Sequence, residues 1–314
     1  TARIGPAIQG ICHAEASYQG ALAYARERRS MRALSGKKDT EATADALIWH
    51  ADVRRMLLTQ KAIAEGGRAM IYAAAQTSDI MFNAVLENDA AKHDKFEDTL
   101  GFYTPILKGF LTEMGLEAAN LGMQVFGGHG YIHEHGMEQI ARDARISTLY
   151  EGTTGIQALD LLGRKVLLGS KGKCVRDFTR IMMHFARPQL FARGPLGKMA
   201  RATMKRALEW NLLTLRIMLR AGKDRDLVGS SSVDYLMYSG YVMMGYFWAL
   251  QAAKADKLLA SGKGAESPEF YRAKIQTAEF YFERLLPRAD AHRQGALAAT
   301  RSLMQMDNGD FAFS

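Results

Sequence analysis

The feature that most constrains this fold is the helical repetition of apolar residues over long stretches of chain. In residues 3–33, for example, Ile8, Ile11 and Ala14 recur at the three- and four-residue spacing of one helix face. Residues 51–86 repeat the pattern. No segment alternates polar and apolar residues with β-branched enrichment, as half-buried strands do. The sequence therefore predicts an all-α fold.

Glycine, proline and polar breaks divide the chain into further helices. Pro105 suits the first turn of a helix that continues to residue 126, because proline is tolerated where no backbone N–H bond is needed. Gly66 and Gly67 predict a close helix crossing, since glycine in a helix interior otherwise costs about 1 kcal/mol. Other helices are predicted over residues 137–145, 175–186, 199–221, 232–261, 268–286 and 289–306. Long helices joined by short loops indicate antiparallel bundles, one in each half of the chain.

Length and composition limit the class of protein. The 314 residues, 48% of them hydrophobic, suffice for two globular domains, which we place at residues 1–168 and 169–314. No run reaches the roughly 18 apolar residues of a membrane span, so we expect no membrane association. The chain starts with Thr1 and has no signal-peptide pattern, and we expect an excised or processed piece of a longer protein.

The two cysteines bear on compartment. Cys12 and Cys174 lie far apart and form no C-x-x-C pair, which argues against a disulfide framework or a thiolate metal site. This usage favours a reducing compartment, and we expect a cytoplasmic protein. Both thiols are predicted to be buried and structural.

Positive charge is concentrated in one block. Residues 164–226 contain sixteen Lys or Arg and four Asp or Glu, a net charge of +12, whereas the whole chain carries +8. Such a block suggests an anionic neighbour: a phosphate-rich ligand, a nucleic acid or the acidic face of another domain.

Residues 121–165 hold the densest set of chemically useful side chains. The run Q-V-F-G-G-H-G-Y begins at Gln124, and its glycines either form a left-handed helix C-cap or let backbone amides approach a phosphate. No strand precedes it, so it is not a dinucleotide fingerprint. The run Y-E-G-T-T-G-I-Q begins at Tyr150, and its Thr154 and Gln157 match a capping box that starts a helix.

Three further groups of side chains have alternative interpretations. Glu151 projects either into an apolar cavity, where burial makes a carboxylate a stronger base, or into solvent at a helix N-terminus. The arginines that end the first helix grip a pyrophosphate or form a solvated basic end. The histidines after Gly128 lack the spacing of a helical metal site, and we expect no metal.

Several motifs, in order, resemble the C-terminal helical domain of the flavin-dependent acyl-CoA dehydrogenases. They are Q-x-x-G-G-H-G-Y from Gln124, R-D-A-R-I from Arg142, Y-E-G-T from Tyr150, and the pair Ile156-Gln157. Upstream, Y-A-R-E-R resembles the family's segment that ends in a pyrophosphate-contacting arginine, here Arg28. The likeness covers residues 1–168 and implies an antiparallel four-helix bundle of the acyl-CoA dehydrogenase type.

The resemblance also implies roles. Glu151 would be the base that removes the α-proton of an acyl-CoA thioester while a hydride leaves the β-carbon for FAD, and its own N–H would polarise the thioester carbonyl. Residues implied to bind FAD are Arg28, Ser30, Gln124, Gly127, Gly128, Thr153 and Gly155. Residues implied to lie near the substrate are Arg3, Tyr150 and Gly152. Gly155 stands where a glutamine is common, and Ser30 begins a segment that departs from the family pattern.

Partners follow from the same resemblance. Sharing of FAD across a subunit interface implies a homodimer or a dimer of dimers, and the usual electron acceptor is an electron-transfer flavoprotein. The family's N-terminal helical domain and central β-domain have no counterpart in this sequence, so we expect the isolated chain to be inactive. Residues 169–314 resemble the extra helical domain of a larger subfamily that includes the 3-methylmercaptopropionyl-CoA dehydrogenases. Two alternatives are nucleic-acid binding by the basic second domain and a purely structural helical module.

Overall fold

The computed structural model describes residues 2–224 and 226–312, and in these ranges the chain is helical without a β-strand. This confirms the predicted all-α fold class. The helices are α1 (Ile4–Glu27), α2 (Ala51–Leu86), α3 (Ala90–Phe126), α4 (Gly128–Tyr131), α5 (Met137–Ser147), α6 (Thr154–Leu159, continued as a π-helix over Asp160–Gly169), α7 (Lys173–Ala186), α8 (Gly194–Ala221), α9 (Asp226–Ser261), α10 (Pro268–Phe280, continued as a π-helix over Tyr281–Leu285), α11 (Arg288–Ala296) and α12 (Arg301–Met304).

Helix α1 ends earlier than predicted, at Glu27 instead of residue 33. The loop that follows is organised by the buried carboxylate of Asp45, which accepts hydrogen bonds from the backbone N–H groups of Ala33 and Lys38, both at 2.9 Å. The bond from Ala33, with those from the neighbouring amides, holds the pKa of Asp45 well below its ordinary value. These hydrogen bonds take the place of helical ones after Glu27. A prediction from apolar periodicity alone therefore made α1 too long.

Helix α3 begins well before the predicted start at Pro105. The side chain of Asp89 caps it by accepting from the backbone N–H of Lys92 at 2.9 Å. Pro105 lies in the helix interior, where proline costs about 3 kcal/mol. The surrounding half of α3 is buried, and its packing offsets that cost. The exposed polar first half of α3 is helical too, since solvated residues do not by themselves end a helix.

Two helices of the second half begin several residues earlier than predicted, whereas α10 begins at Pro268 as predicted. Helix α8 starts at Gly194 with Pro195 in its first turn, and α9 starts at Asp226. The helix predicted over residues 289–306 is two helices, α11 and α12, separated by a turn. For α8 and α9 glycine and polar residues marked a break but not the exact start of the helix, whereas no break was predicted between α11 and α12.

The predicted close crossing at Gly66 and Gly67 is confirmed. A Cβ atom at Gly66 would lie 2.5 Å from Nε1 of Trp248 on α9, and one at Gly67 would lie 2.2 Å from Cδ1 of Ile11 on α1. The Trp248 indole N–H donates to the carbonyl of Ala62 at 3.1 Å. The largest buried apolar cluster therefore continues from the first half of the chain into the second. The division into domains 1–168 and 169–314 stays a prediction.

The sequence also predicted the absence of a membrane span and the burial of both cysteines. Among the described residues, no helix is both long and apolar enough to cross a membrane. Cys174 is half-buried, and burial raises the pKa of its thiol. Cys12 is exposed, so the prediction that it is buried was wrong. It lies on α1 directly after the buried Ile11, and the register of the helix turns it outward.

Candidate functional site

The turn between α5 and α6 presents Glu151 on a left-handed backbone. Glu151 has φ +57° and Gly152 has φ +90°, and Glu151 is one of four non-glycine residues with positive φ among those described. A left-handed conformation costs a side-chain-bearing residue about 1 kcal/mol, so the rest of the structure must hold it. Such outliers are frequent at functional sites.

Gln157 provides the direct clamp on this turn. Its buried side-chain amide donates to the carbonyls of Glu151 at 3.1 Å and Gly152 at 3.3 Å. The predicted capping box was therefore wrong. The N-cap position is Thr153, and no side chain caps it. Thr154 instead donates its hydroxyl to Glu113 on α3, at 2.5 Å.

Arg3 lies behind this clamp. Its guanidinium donates to Oε1 of Gln157 at 3.0 Å and to Oδ2 of Asp160 at 2.5 Å. Burial raises the pKa of Asp160, but hydrogen bonds from Arg164 and Arg3 outweigh that effect and lower it. The structure thus connects Arg3 to the Glu151 turn through Gln157, and a contact between Arg3 and substrate stays a prediction.

Two more contacts fix the residues directly before Glu151. The hydroxyl of Tyr150 donates to the side chain of Gln9 on α1. The ammonium of Lys108 on α3 donates to the carbonyl of Thr148 at 3.2 Å, and Lys108 is fully buried. Sequence reasoning missed the role of Lys108. The available signal was a lone lysine inside the apolar stretch P-I-L-K-G-F-L of α3.

The Glu151 side chain itself is exposed. The apolar cavity expected around it is therefore not closed by the described part of this chain. Five apolar side chains close to Glu151 in sequence are also exposed and are called the apolar rim: Ile146, Leu149, Tyr150, Ile156 and Leu159. Exposed apolar side chains concentrated in one stretch of chain are typical of an interaction or ligand-binding surface.

The glycine segment ends α3 with an exposed, side-chain-free backbone. Gly127 has φ +60° and ψ −138°, so the predicted positive φ is confirmed, but ψ lies outside the left-handed helical region. A Cβ atom at Gly127 or Gly128 would meet nothing within 4 Å. Gln124 and Thr154 both line a groove of about 650 Å³ between α3 and α9.

The end of α1 lies against this glycine segment. Tyr24, one turn before Arg28, stacks on Phe126 with ring centroids 4.0 Å apart, and its hydroxyl is 2.8 Å from Nδ1 of His129. Arg28 and Ser30 are exposed. The structure thus brings the Arg28 segment and the Gly127–Gly128 segment to one face of the bundle.

The remaining predicted positions lie on the turn or next to it. Thr153 is exposed and Gly155 is half-buried, and a Cβ atom at Gly155 would come no closer than 4.0 Å to Oγ1 of Thr153. The histidines after Gly128 are engaged elsewhere: the rings of His129 and His135 stack at 5.0 Å, and Nδ1 of His133 faces Glu138 at 3.1 Å.

Two family profiles match the chain. The profile described as "Acyl-CoA dehydrogenase, C-terminal domain" matches residues 1–167. The profile described as "Acetyl-CoA dehydrogenase C-terminal like" matches residues 176–307.

Curated relatives and solved structures agree with these matches. The 3-methylmercaptopropionyl-CoA dehydrogenase of Ruegeria pomeroyi is 38% identical over 93% of this chain and 48% of its own length. The broad-specificity linear acyl-CoA dehydrogenase FadE5 of Mycobacterium tuberculosis is 31% identical over 99% of this chain and 51% of its own length. A Bacillus anthracis acyl-CoA dehydrogenase crystallised with FAD shares the fold, with a TM-score of 0.71 at 16% identity over 98% of this chain and 49% of that one. The chain spans about half the length of the curated relatives it matches.

Proposed function

Because the chain belongs to the acyl-CoA dehydrogenase family, we propose that the protein carries out FAD-dependent α,β-dehydrogenation of an acyl-CoA thioester, with Glu151 as the base. The observation that carries the proposal is the Glu151 turn. Its backbone is held in a costly conformation by Gln157, while its carboxylate has no partner among the described residues and is flanked in sequence by the exposed apolar rim. A base needs such a fixed position and an unshared carboxylate.

FAD fits the observed residues at the other end of the bundle. The backbone of Gly127 and Gly128 is exposed with no side chain in the way, and Arg28, which pairs with no carboxylate among the described residues, lies in the adjoining segment. An arginine and exposed amides suit a pyrophosphate. We assign FAD contacts to these three residues and to Ser30, Gln124, Thr153 and Gly155.

Bound FAD would supply the acceptor for the hydride that leaves the substrate β-carbon. The residues of this chain do the rest. Glu151 takes the α-proton onto its carboxylate, and its backbone N–H stabilises the charge that develops on the thioester carbonyl oxygen. The apolar rim excludes water once it is covered, which strengthens the base. Arg3, Tyr150 and Gly152 are assigned to the substrate side of the turn.

Other parts of the proposal concern the whole protein. A homodimer or a dimer of dimers would cover the glycine segment, and an electron-transfer flavoprotein would accept the electrons. The chain would be cytoplasmic, and residues 169–314 would form an additional helical domain. The test is anaerobic titration of the FAD-loaded full-length protein with saturated acyl-CoA thioesters of different chain length. Bleaching of the flavin by at least one thioester supports the proposal, and no bleaching by any of them contradicts it.

A second candidate function rests on the basic block. Exposed cationic side chains lie on α7 and α8, including Arg176, Arg180, Lys198, Arg201 and Lys205. A nucleic acid would bind such a surface with a steep salt dependence. A mobility shift of duplex DNA at physiological salt separates the two functions. We expect none, because a dehydrogenase does not require this contact.

A further inference from the structure

A fully buried lysine lies beneath the proposed catalytic turn. Lys108 is 0% exposed in the middle of α3, and its neighbours Leu107 and Phe110 belong to the main apolar core. A buried lysine is rare because its charge must leave water. A lysine at this position therefore needs interactions that offset the cost of removing its charge from water.

The Lys108 ammonium bonds to the backbone before the turn. Among the described residues it makes one hydrogen bond, to the carbonyl of Thr148, which is itself 2% exposed. That carbonyl lies at the C-terminal end of α5, three residues before Glu151, where the helix dipole is negative. Burial lowers the pKa of Lys108, and the nearby carboxylates of Glu113 and Glu151 oppose that shift.

Stability alone does not explain this lysine. Lys108 forms no ion pair among the described residues, its one hydrogen bond is to a neutral carbonyl, and Glu113 and Glu151 only partly offset its desolvation. Apolar replacement of buried ion pairs is often neutral or stabilising, and the same reasoning applies to this lysine. Methionine has nearly the same length and shape and would fill the same space. What methionine lacks is the donor that reaches Thr148.

We propose that Lys108 is a positioning residue, which fixes the Thr148 carbonyl and thereby the backbone that presents Glu151. The effect of Lys108 on catalysis rests on the proposed dehydrogenase function. Its effect on the backbone of the turn does not depend on that function. Lys108 holds the turn from the α5 side, and Gln157 holds it from the α6 side.

The structural test compares Lys108→Met with Leu107→Ala in the full-length FAD-loaded protein. Leu107 is equally buried on the same helix, and its truncation leaves a cavity that lowers Tm. We expect Lys108→Met to lower Tm less than Leu107→Ala does, because relief of the lysine's desolvation offsets the loss of the donor to Thr148, and to speed amide hydrogen exchange at residues 149–152 by about tenfold or more. Leu107→Ala should lower Tm without a selective change at the turn. Unchanged exchange at the turn in Lys108→Met, or failure of that variant to fold, would overturn the proposal.

The catalytic test uses the same two variants. Lys108→Met should lower kcat by about tenfold to a hundredfold, with KM for the acyl-CoA changed less than about threefold, because the base is misplaced and binding is not. Leu107→Ala should keep kcat per folded enzyme. An unchanged kcat in Lys108→Met contradicts the role. A wrong dehydrogenase assignment would be recognised separately. In that case no thioester would bleach the flavin of the wild-type protein, whereas the hydrogen-exchange difference at the turn would remain.

Discussion

Gln157 donates its side-chain amide to the backbone carbonyl of Glu151 at 3.1 Å. The same side chain accepts from Arg3 through its oxygen. One buried glutamine thus joins α1, α6 and the backbone of the proposed base. Its interactions make the shape of the turn depend on residues that are distant in sequence.

The first prediction concerns this clamp. Gln157→Glu keeps an oxygen for Arg3 but removes the N–H donors to Glu151 and Gly152. We expect a loss of about 1–3 kcal/mol in unfolding free energy, because the partly buried carbonyls of Glu151 and Gly152 lose their donor. We also expect kcat to fall by about tenfold or more in the full-length enzyme. Denaturant unfolding and steady-state kinetics measure these effects, and wild-type values for both would show that the clamp does not matter.

A second prediction uses two glycines on the same turn. At Gly152, with φ +90°, a Cβ atom would lie 2.6 Å from Nε2 of Gln157, whereas at Gly155 its nearest neighbour would be 4.0 Å away. Gly152→Ala should therefore lower unfolding free energy by more than about 1 kcal/mol. Gly155→Ala, inside α6, should leave it unchanged or raise it by up to about 1 kcal/mol. Equal effects on Tm would contradict the geometry of the turn.

The FAD assignment predicts different effects for two exposed arginines on neighbouring parts of the chain. Arg28→Gln should weaken FAD binding by about tenfold to a hundredfold, the cost of a lost hydrogen bond to a charged group. Arg26→Gln, in the last turn of α1, serves as the matched control and should bind FAD normally. Flavin-to-protein ratios after dilution and gel filtration provide the measurement. Similar loss in both variants would point to general electrostatics instead.

Acid stability is predicted to depend on Asp45. Its pKa is depressed in the folded state, so its contribution is present above the unfolded value of about 3.9 and is lost as pH falls below it. Asp45→Asn should lower Tm at pH 7 and make Tm less sensitive to acid below about pH 4. Thermal unfolding across pH 2–7 measures both effects. The same acid dependence in variant and wild type would contradict the role of the loop carboxylate.

Local patterns predicted much of the fold. Apolar periodicity located α2 at its observed bounds, and the Gly66–Gly67 pair predicted a close helix crossing, whose partners in the structure are α1 and α9. The start of α3 was missed because Pro105 suggested a boundary that buried packing overrides. Helix ends failed where loop bonds such as those of Asp45 compete with helical ones.

The site was less predictable from local pattern. Thr154 and Gln157 matched a capping box, yet their partners are Glu113, Arg3 and the Glu151 backbone. No local rule records the contact of Thr154 with Glu113, 41 positions away, or that of Gln157 with Arg3, 154 positions away. For Glu151 the sequence left two alternatives open, an apolar cavity and solvent, and in the described chain the residue is exposed.

The role of Glu151 as the base is tested by the reduction of bound flavin by an accepted acyl-CoA in Glu151→Gln. In the full-length protein we expect this variant to bind FAD and thioester as wild type does. It should reduce the flavin at least about a thousandfold more slowly, because the side-chain amide cannot take the α-proton. Stopped-flow absorbance under anaerobic conditions follows the step. Flavin reduction at the wild-type rate in Glu151→Gln would contradict the assignment of Glu151 as the base.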